Sequence, residues 1–137
     1  MAIQQSTAVT ANSAYKTLGA YVRKMDVPVD AVVTAGTDTL ELIPVFAGET
    51  VLDVAIVPVG DMDTGAAALR FQVGDRTTAD KYLAAIDPGA GDGSVFRASD
   101  GVGSQYSADD AIVLTASTPA TTPAAGTVRV LVTLQAE

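Results

Sequence analysis

The residues of this 137-residue chain that are able to do chemistry are mainly carboxylates, in three short groups. Asp61-Met62-Asp63-Thr64-Gly65 has the Asp-x-Asp-x-Gly form of a calcium loop. Such a loop needs more oxygen donors and a bidentate Glu further on, and Ala66-Ala67-Ala68 stands there instead. A hairpin turn is therefore the preferred reading, and a weak calcium site the lesser one. Asp87-Pro88-Gly89-Ala90-Gly91-Asp92-Gly93 is rich in glycine, but no Gly-Lys-Ser/Thr follows, so it reads as a flexible loop rather than a phosphate cradle. Asp109-Asp110 pairs two acids at the start of a strand. Adjacent strand residues point to opposite faces, so the two do not converge for acid–base work.

Nucleophiles fare no better. The chain has no histidine and no cysteine. That removes the commonest general base, thiolate chemistry, disulfides and the usual zinc ligands. Serine is left without an activating partner. Lys81, the best-placed lysine, follows Asp80, which keeps it charged. The seven aromatics are Tyr15, Tyr21, Phe46, Phe71, Tyr82, Phe96 and Tyr106. They are spread too widely to form a stacking platform for a sugar or a single strand. The reading is of a protein that is not an enzyme and carries no cofactor or metal.

The charge is polarised along the chain. Residues 1–25 hold three basic residues, Lys16, Arg23 and Lys24, and no acid. Residues 26–137 hold five basic and sixteen acidic residues. An acidic body repels nucleic acid and anionic membrane. The basic segment is too sparse for a nucleic-acid arm and suits an acidic protein surface. No apolar run is long enough to cross a membrane, and the first residues lack the pattern of a signal peptide. Synthesis in a cytoplasm is expected.

Hydrophobic periodicity then says what must hold these groups. Apolar residues make up 48% and aromatics only 5%, so the core must be built from Val, Leu, Ile and Ala. Residues 1–13 are small and polar, without a sustained period. Residues 14–25 fit either a helical stripe or a strand, and Gly19 with the β-rich context favours the strand. Asp30–Thr34 and Thr39–Val45 read as strands flanking the turn Ala35–Asp38, with Pro44 marking an edge or a strand end. Val51–Val57 is the most apolar run, short and β-branched, and reads as a buried strand. Leu69, Phe71 and Val73 alternate with Arg70 and Gln72, as in a half-buried strand. Thr77 or Thr78 is expected to cap one helical turn that sets Tyr82 and Leu83 against the core. Residues 87–107 form a long loop, with Val95–Arg97 a short strand inside it. Ala111–Thr115 and Thr127–Leu134 are strands joined by a Thr/Ala/Pro hairpin loop at 116–126. About eight short strands with regular turn signals predict an all-β, single-domain antiparallel β-sandwich or jelly-roll-like barrel over residues 27–137, with an extended N-terminal arm over 1–26.

Three stretches carry a resemblance. Leu40–Glu49 with Thr50–Val54 makes an apolar strand, Pro, Gly turn and apolar strand. Phe71-Gln72-Val73-Gly74-Asp75 leads into Asp80-Lys81-Tyr82. Asp109–Leu114, a Pro/Thr/Gly loop and Gly126–Val132 close the chain. Together they resemble the small head-decoration, or capsid cement, proteins of tailed bacteriophages over roughly residues 38–134. The closing aromatic of that family's last strand is absent here, where Leu134-Gln135-Ala136 stands. The resemblance implies a virion protein on the outer capsid surface, often a homotrimer, that bridges major capsid subunits and stiffens the head. Its partners would be the major capsid protein and itself, with no nucleic acid and no membrane.

The contact residues expected from the sequence are Tyr15, Lys16, Tyr21, Arg23 and Lys24 in the arm. Phe96 and Tyr106 in the long loop are either contact residues or covers for the sandwich end. The alternatives are a carbohydrate- or calcium-binding sandwich module and a tail or fibre component.

Overall fold

The computed structural model describes residues 20–89, 94–98 and 100–136. Eight strands follow in order: β1 (Ala20–Val29), β2 (Leu40–Val45), β3 (Thr50–Val59), β4 (Arg70–Gly74), β5 (Leu83–Ile86), β6 (Phe96–Arg97), β7 (Asp110–Thr118) and β8 (Gly126–Gln135). They build two antiparallel sheets. Sheet A has the order β1-β8-β3-β6 and sheet B the order β2-β7-β4-β5. Strands 1 and 8, 2 and 7, 3 and 6, and 4 and 5 are neighbours. This is one long antiparallel hairpin rolled up on itself, which defines a jelly roll.

The expected β-sandwich is thus the observed fold, and the jelly-roll order is present in full. The core lies between the sheets. β8 shows its logic best: Val128, Val130, Val132 and Leu134 are all fully buried, while the residues between them face out. Strand alternation puts every second side chain inward, and each such aliphatic contributes about 1.5–3 kcal/mol by burial. β3 contributes Val51, Val54 and Ile56 from the same sheet. Its inward phase shifts between Val51 and Val54 because a bulge interrupts the register between Val51 and Asp53. Phe71, Val73, Ile112 and Leu114 answer from sheet B.

Several expectations are corrected. Asp30–Thr34 is not a strand. Ala31–Thr34 is a single helical turn, α1, capped by Asp30, whose Oδ1 accepts from the N–H of Val32 and of Val33 at 3.1 Å. Gly36 at φ +76° ends it, with its N–H donating to Val33 O at 3.0 Å. The loop at 116–126 is not a hairpin loop, since β7 and β8 lie in different sheets. The turn at Asp61–Gly65 likewise leads from β3 in sheet A to β4 in sheet B. Neither Thr77 nor Thr78 caps a helix. Asp75 Oδ1 accepts from both of their N–H groups, at 2.9 and 2.7 Å, and closes an Asx-type turn between β4 and β5. Tyr82 and Leu83 are buried as expected.

Residues 21–25 take the strand alternative. β1 pairs with β8 along its whole length, from Ala20 opposite Gln135 to Val29 opposite Gly126. Residues 20–26, read from the sequence as the end of an arm, therefore lie within a sheet.

Candidate functional site

Three buried polar centres concentrate the chemistry-bearing side chains, and each is closed by this chain's own groups. The first is Asp63, 8% exposed. Its Oδ1 accepts from Gly65 N at 3.1 Å and Thr122 N at 3.0 Å. Its Oδ2 accepts from Ala68 N at 2.9 Å, Leu69 N at 3.2 Å and Thr121 N at 3.0 Å. The Thr122 N–H and these other amides outweigh burial and hold the carboxyl at a pKa of about 2. A carboxylate ringed by N–H donors faces positive dipoles, the opposite of what a cation needs. The calcium reading of this loop therefore gives way to a clasp between the 60–69 and 119–125 loops. Among the described residues no group of three or more acidic side chains is placed to hold a metal.

The second centre is Asp75 with Tyr106, Tyr82 and Lys81. Tyr106 donates to Asp75 Oδ2 at 2.9 Å, and its oxygen lies 2.5 Å from the Tyr82 hydroxyl. Lys81 Nζ is 3.3 Å from Asp75 Oδ2 and sits over the Tyr106 ring at 4.6 Å. Burial, then the bonds to Tyr82 and Asp75, raises the Tyr106 phenol far above its ordinary range. Burial works against the Asp75 charge, but Thr78 N, the Tyr106 hydroxyl, Thr77 N and Lys81 together keep its carboxyl below the usual range. Lys81 is thus an ion-pair partner here, as the adjoining acid suggested, although the acid is Asp75.

The third centre is Glu49, 5% exposed, in the turn between β2 and β3. It accepts from Arg23 at 2.6 Å, from Phe46 N at 2.7 Å and from the Tyr21 hydroxyl. The Arg23 guanidinium stacks over Phe46 at 4.8 Å and donates to Pro44 O at 3.2 Å. Asp109 and Asp110 act apart, as their adjacency implied. Asp109 accepts from Ala47 N, while Asp110 accepts from Arg76 N and Ala111 N. Among the described residues no buried side-chain nitrogen or oxygen lacks a partner. Polar groups satisfied in this way hold loops in place.

The expected contact residues fall into separate places. Tyr15 and Lys16 lie outside the described residues. Tyr21 and Arg23 turn inward and anchor β1 to Glu49. Lys24 projects from the outer face of sheet A, opposite Leu131. Phe96 is half-buried and packs against the core. Tyr106 is buried, its hydroxyl bonded to Asp75 and Tyr82, so it covers the sandwich end. Sequence reasoning missed Glu49 and Asp63 as anchors. Each stands in a turn between apolar strands, where an acid ordinarily reads as solvated.

No family model matches the chain, and no curated protein does. Solved structures do match. The chain is similar to a chain of the cyanophage Pam1 capsid asymmetric unit, with 26% identity, a TM-score of 0.74, and coverage of 86% of this chain and 85% of that one. It also shares its fold with a chain of the Ralstonia phage GP4 capsid, at 21% identity, a TM-score of 0.68 and coverage of 87% and 85%. A chain of the acidic stable capsid structure of Helicobacter pylori bacteriophage KHP30 follows, at 18% identity, a TM-score of 0.58 and coverage of 82% and 86%.

Proposed function

We propose that this chain is a structural virion protein that decorates the outside of an assembled phage head and bridges its major capsid subunits. The observation that carries the reading is the likeness to a chain of the Pam1 capsid, which runs over most of both chains. It supports a structural role in a phage capsid. The decoration role rests further on the stretches that resemble cement proteins and on the closed polar centres. A side chain whose bonding capacity is filled by its own fold works as a brace. A rigid, acid-rich sandwich is a good clamp between larger subunits, because it adds contact area without changing shape.

Residues 1–19, with Tyr15 and Lys16, are assigned to the shell contact. They enter the fold at Ala20, the first residue of an edge strand. The test uses heads assembled without this protein. Purified chain is added and the heads are sedimented. We expect co-sedimentation at a fixed ratio, a higher disruption temperature for the decorated heads, and loss of binding when residues 2–19 are deleted. Absence from the head pellet, or label on tails, overturns the decoration reading. Unchanged binding by the deletion variant overturns the arm. Binding to a glycan array without head binding would favour the sugar-binding alternative.

A further inference from the structure

An open sheet edge is a template for another strand, so folded proteins blunt such edges or use them. Among the described residues three of the four edges are blunted. β6 has two residues and β5 four, and β2 carries Pro44 and a register break between Glu41 and Ile43. β1 differs, since it pairs with β8 over ten residues without a break. Two prolines tell which of its backbone groups point outward. A proline has no N–H to give a ladder, so Pro28 stands where the backbone of β1 turns away from β8. Pro58 in β3 lies opposite Val128, and the same rule turns Val128 toward β1, where its partner is Val27. Both prolines place the odd residues of β1 in the ladder. They aim the N–H and C=O groups of Ala20, Val22, Lys24 and Asp26 at the open edge. These four residues are exposed, and no turn, loop or cap hydrogen bond among the described residues uses their backbone.

The side chains beside this edge narrow what it takes. Val22 is 54% exposed on the outer side, and Met25, on the inner side, is 55% exposed. Lys24 is the only basic residue without an ion pair among the described residues. A strand seated here therefore brings a free acid to Lys24 and apolar side chains to Val22 and Met25. Two sources close at hand lack that acid. Residues 1–19 contain none. The β1 strand of a second copy has only Asp26, which Arg129 already holds at 2.9 Å. Pairing two copies would also set one chain of net charge −8 against another. We infer that the open edge of β1 takes up an extended, acid-bearing segment of a shell subunit as an added strand. Main-chain hydrogen bonds supply the hold, and Lys24 fixes the register. The inference rests on the reading of the chain as a head-binding protein and names a second surface for that binding. It is continuous with the first, since residues 1–19 lead into Ala20 at the start of the same edge.

The test is hydrogen exchange, read by mass spectrometry with fragmentation to single residues, on the full-length protein free and bound to heads assembled without it. In the free protein the amides of Val22, Lys24 and Asp26 should exchange fast, and those of Arg23, Met25 and Val27, which face β8, slowly. On heads the first three should become as slow as the second three. Val22→Pro removes one outward N–H, as Pro28 already does, and leaves the ladder to β8 intact. It should keep the far-ultraviolet spectrum and weaken head binding by about tenfold or more, while Val22→Thr binds like wild type. Lys24→Glu should weaken binding too, most at low salt. If a variant fails to fold, exchange in the wild-type protein decides alone. Slow exchange at Val22, Lys24 and Asp26 in the free protein means that residues 1–19 or a second copy fills the edge, and it overturns the inference. Head binding that leaves these amides fast, or a folded Val22→Pro that binds like wild type, overturns it as well while the head-binding reading stands. Wild-type protein that does not bind heads overturns that reading and this inference together.

Discussion

The carboxylate of Asp63 accepts the backbone N–H of Thr122 at 3.0 Å across a separation of 59 residues. With the Thr121 N–H, also at 3.0 Å, it ties the β3–β4 loop to the β7–β8 loop through one side chain. Both loops pass between the sheets, so the clasp holds one end of the sandwich shut. Asp63→Asn keeps the shape and removes the charge. A lower melting temperature is expected at neutral pH, with a larger drop than for Asp61→Asn, whose carboxylate accepts one N–H of its own turn. The sign of the pH dependence follows from a folded pKa of about 2 against about 3.9 for a free Asp. The charge stabilises the fold fully above the unfolded value, and the effect is lost as pH falls through the folded one. The gap between wild type and Asp63→Asn should then close between about pH 5 and pH 2. A gap that stays constant over that range would show that charge is not what the clasp uses.

Glu49 does for β1 what Asp63 does for the loops. It accepts from Arg23 and Tyr21 on β1 and from its own turn at Phe46. Glu49→Ala leaves the half-buried Arg23 guanidinium without its carboxylate and a backbone N–H unpaired. Urea unfolding should register a loss of about 2–4 kcal/mol. Arg23→Ala should cost less, because Glu49 keeps two donors. The double variant should cost clearly less than the sum of the singles, since the partners share one interaction. Strict additivity would mean that β1 is held by its pairing with β8 alone.

The Tyr106 hydroxyl stands between Asp75 and the Tyr82 hydroxyl. Burial is the first cause that raises both phenols above their ordinary value. A raised folded pKa means stability that is full below about pH 10, where free tyrosine ionises, and that falls as pH rises beyond it. Ultraviolet titration should therefore show Tyr82 and Tyr106 ionising only as the chain unfolds in alkali. Tyr106→Phe should cost about 1–3 kcal/mol, because a charged acceptor and a buried hydroxyl each lose a partner. Titration of Tyr82 and Tyr106 in the folded protein would contradict this arrangement.

How much of this was legible beforehand depended on the range of the interaction. Alternation in Val128–Leu134 and the run Val51–Val57 announced strands, because period two is a local property. The sheet to which each strand belongs is not local. The turn at Asp61–Gly65 and the loop at 116–126 read as hairpin connections, yet both join strands of different sheets, β3 to β4 and β7 to β8. Val32-Val33 read as strand by propensity, while the Asp30 cap and Gly36 stop decided for one helical turn. Asp63 and Glu49 were unreadable as anchors for the same reason. Their partners Thr121, Thr122 and Arg23 lie far away in sequence, and only the folded chain brings them within hydrogen-bonding distance.

Gly74 and Gly103 separate two reasons for a glycine. Gly74 ends β4 just before the Asp75 turn, and a Cβ there would stand 2.0 Å from Thr78 O and 2.6 Å from the Ala79 carbonyl carbon. Both obstacles are backbone, held by the Asp75 N–H to Thr78 O bond of 3.0 Å. Gly74→Ala must therefore push the turn away from the strand and break the Asp75, Tyr106 and Lys81 contacts that depend on it. A loss of about 3 kcal/mol or more is expected in urea unfolding. Gly103 has φ +91° and nothing within 4 Å of an added Cβ. Gly103→Ala meets only the penalty of the left-handed conformation, about 1–2 kcal/mol. Tyrosine absorbance supplies the second readout, for the Tyr82 and Tyr106 environments should change in Gly74→Ala and stay unaltered in Gly103→Ala. Equal costs for the two variants would mean that the turn yields easily and that the Asp75 centre does not brace it.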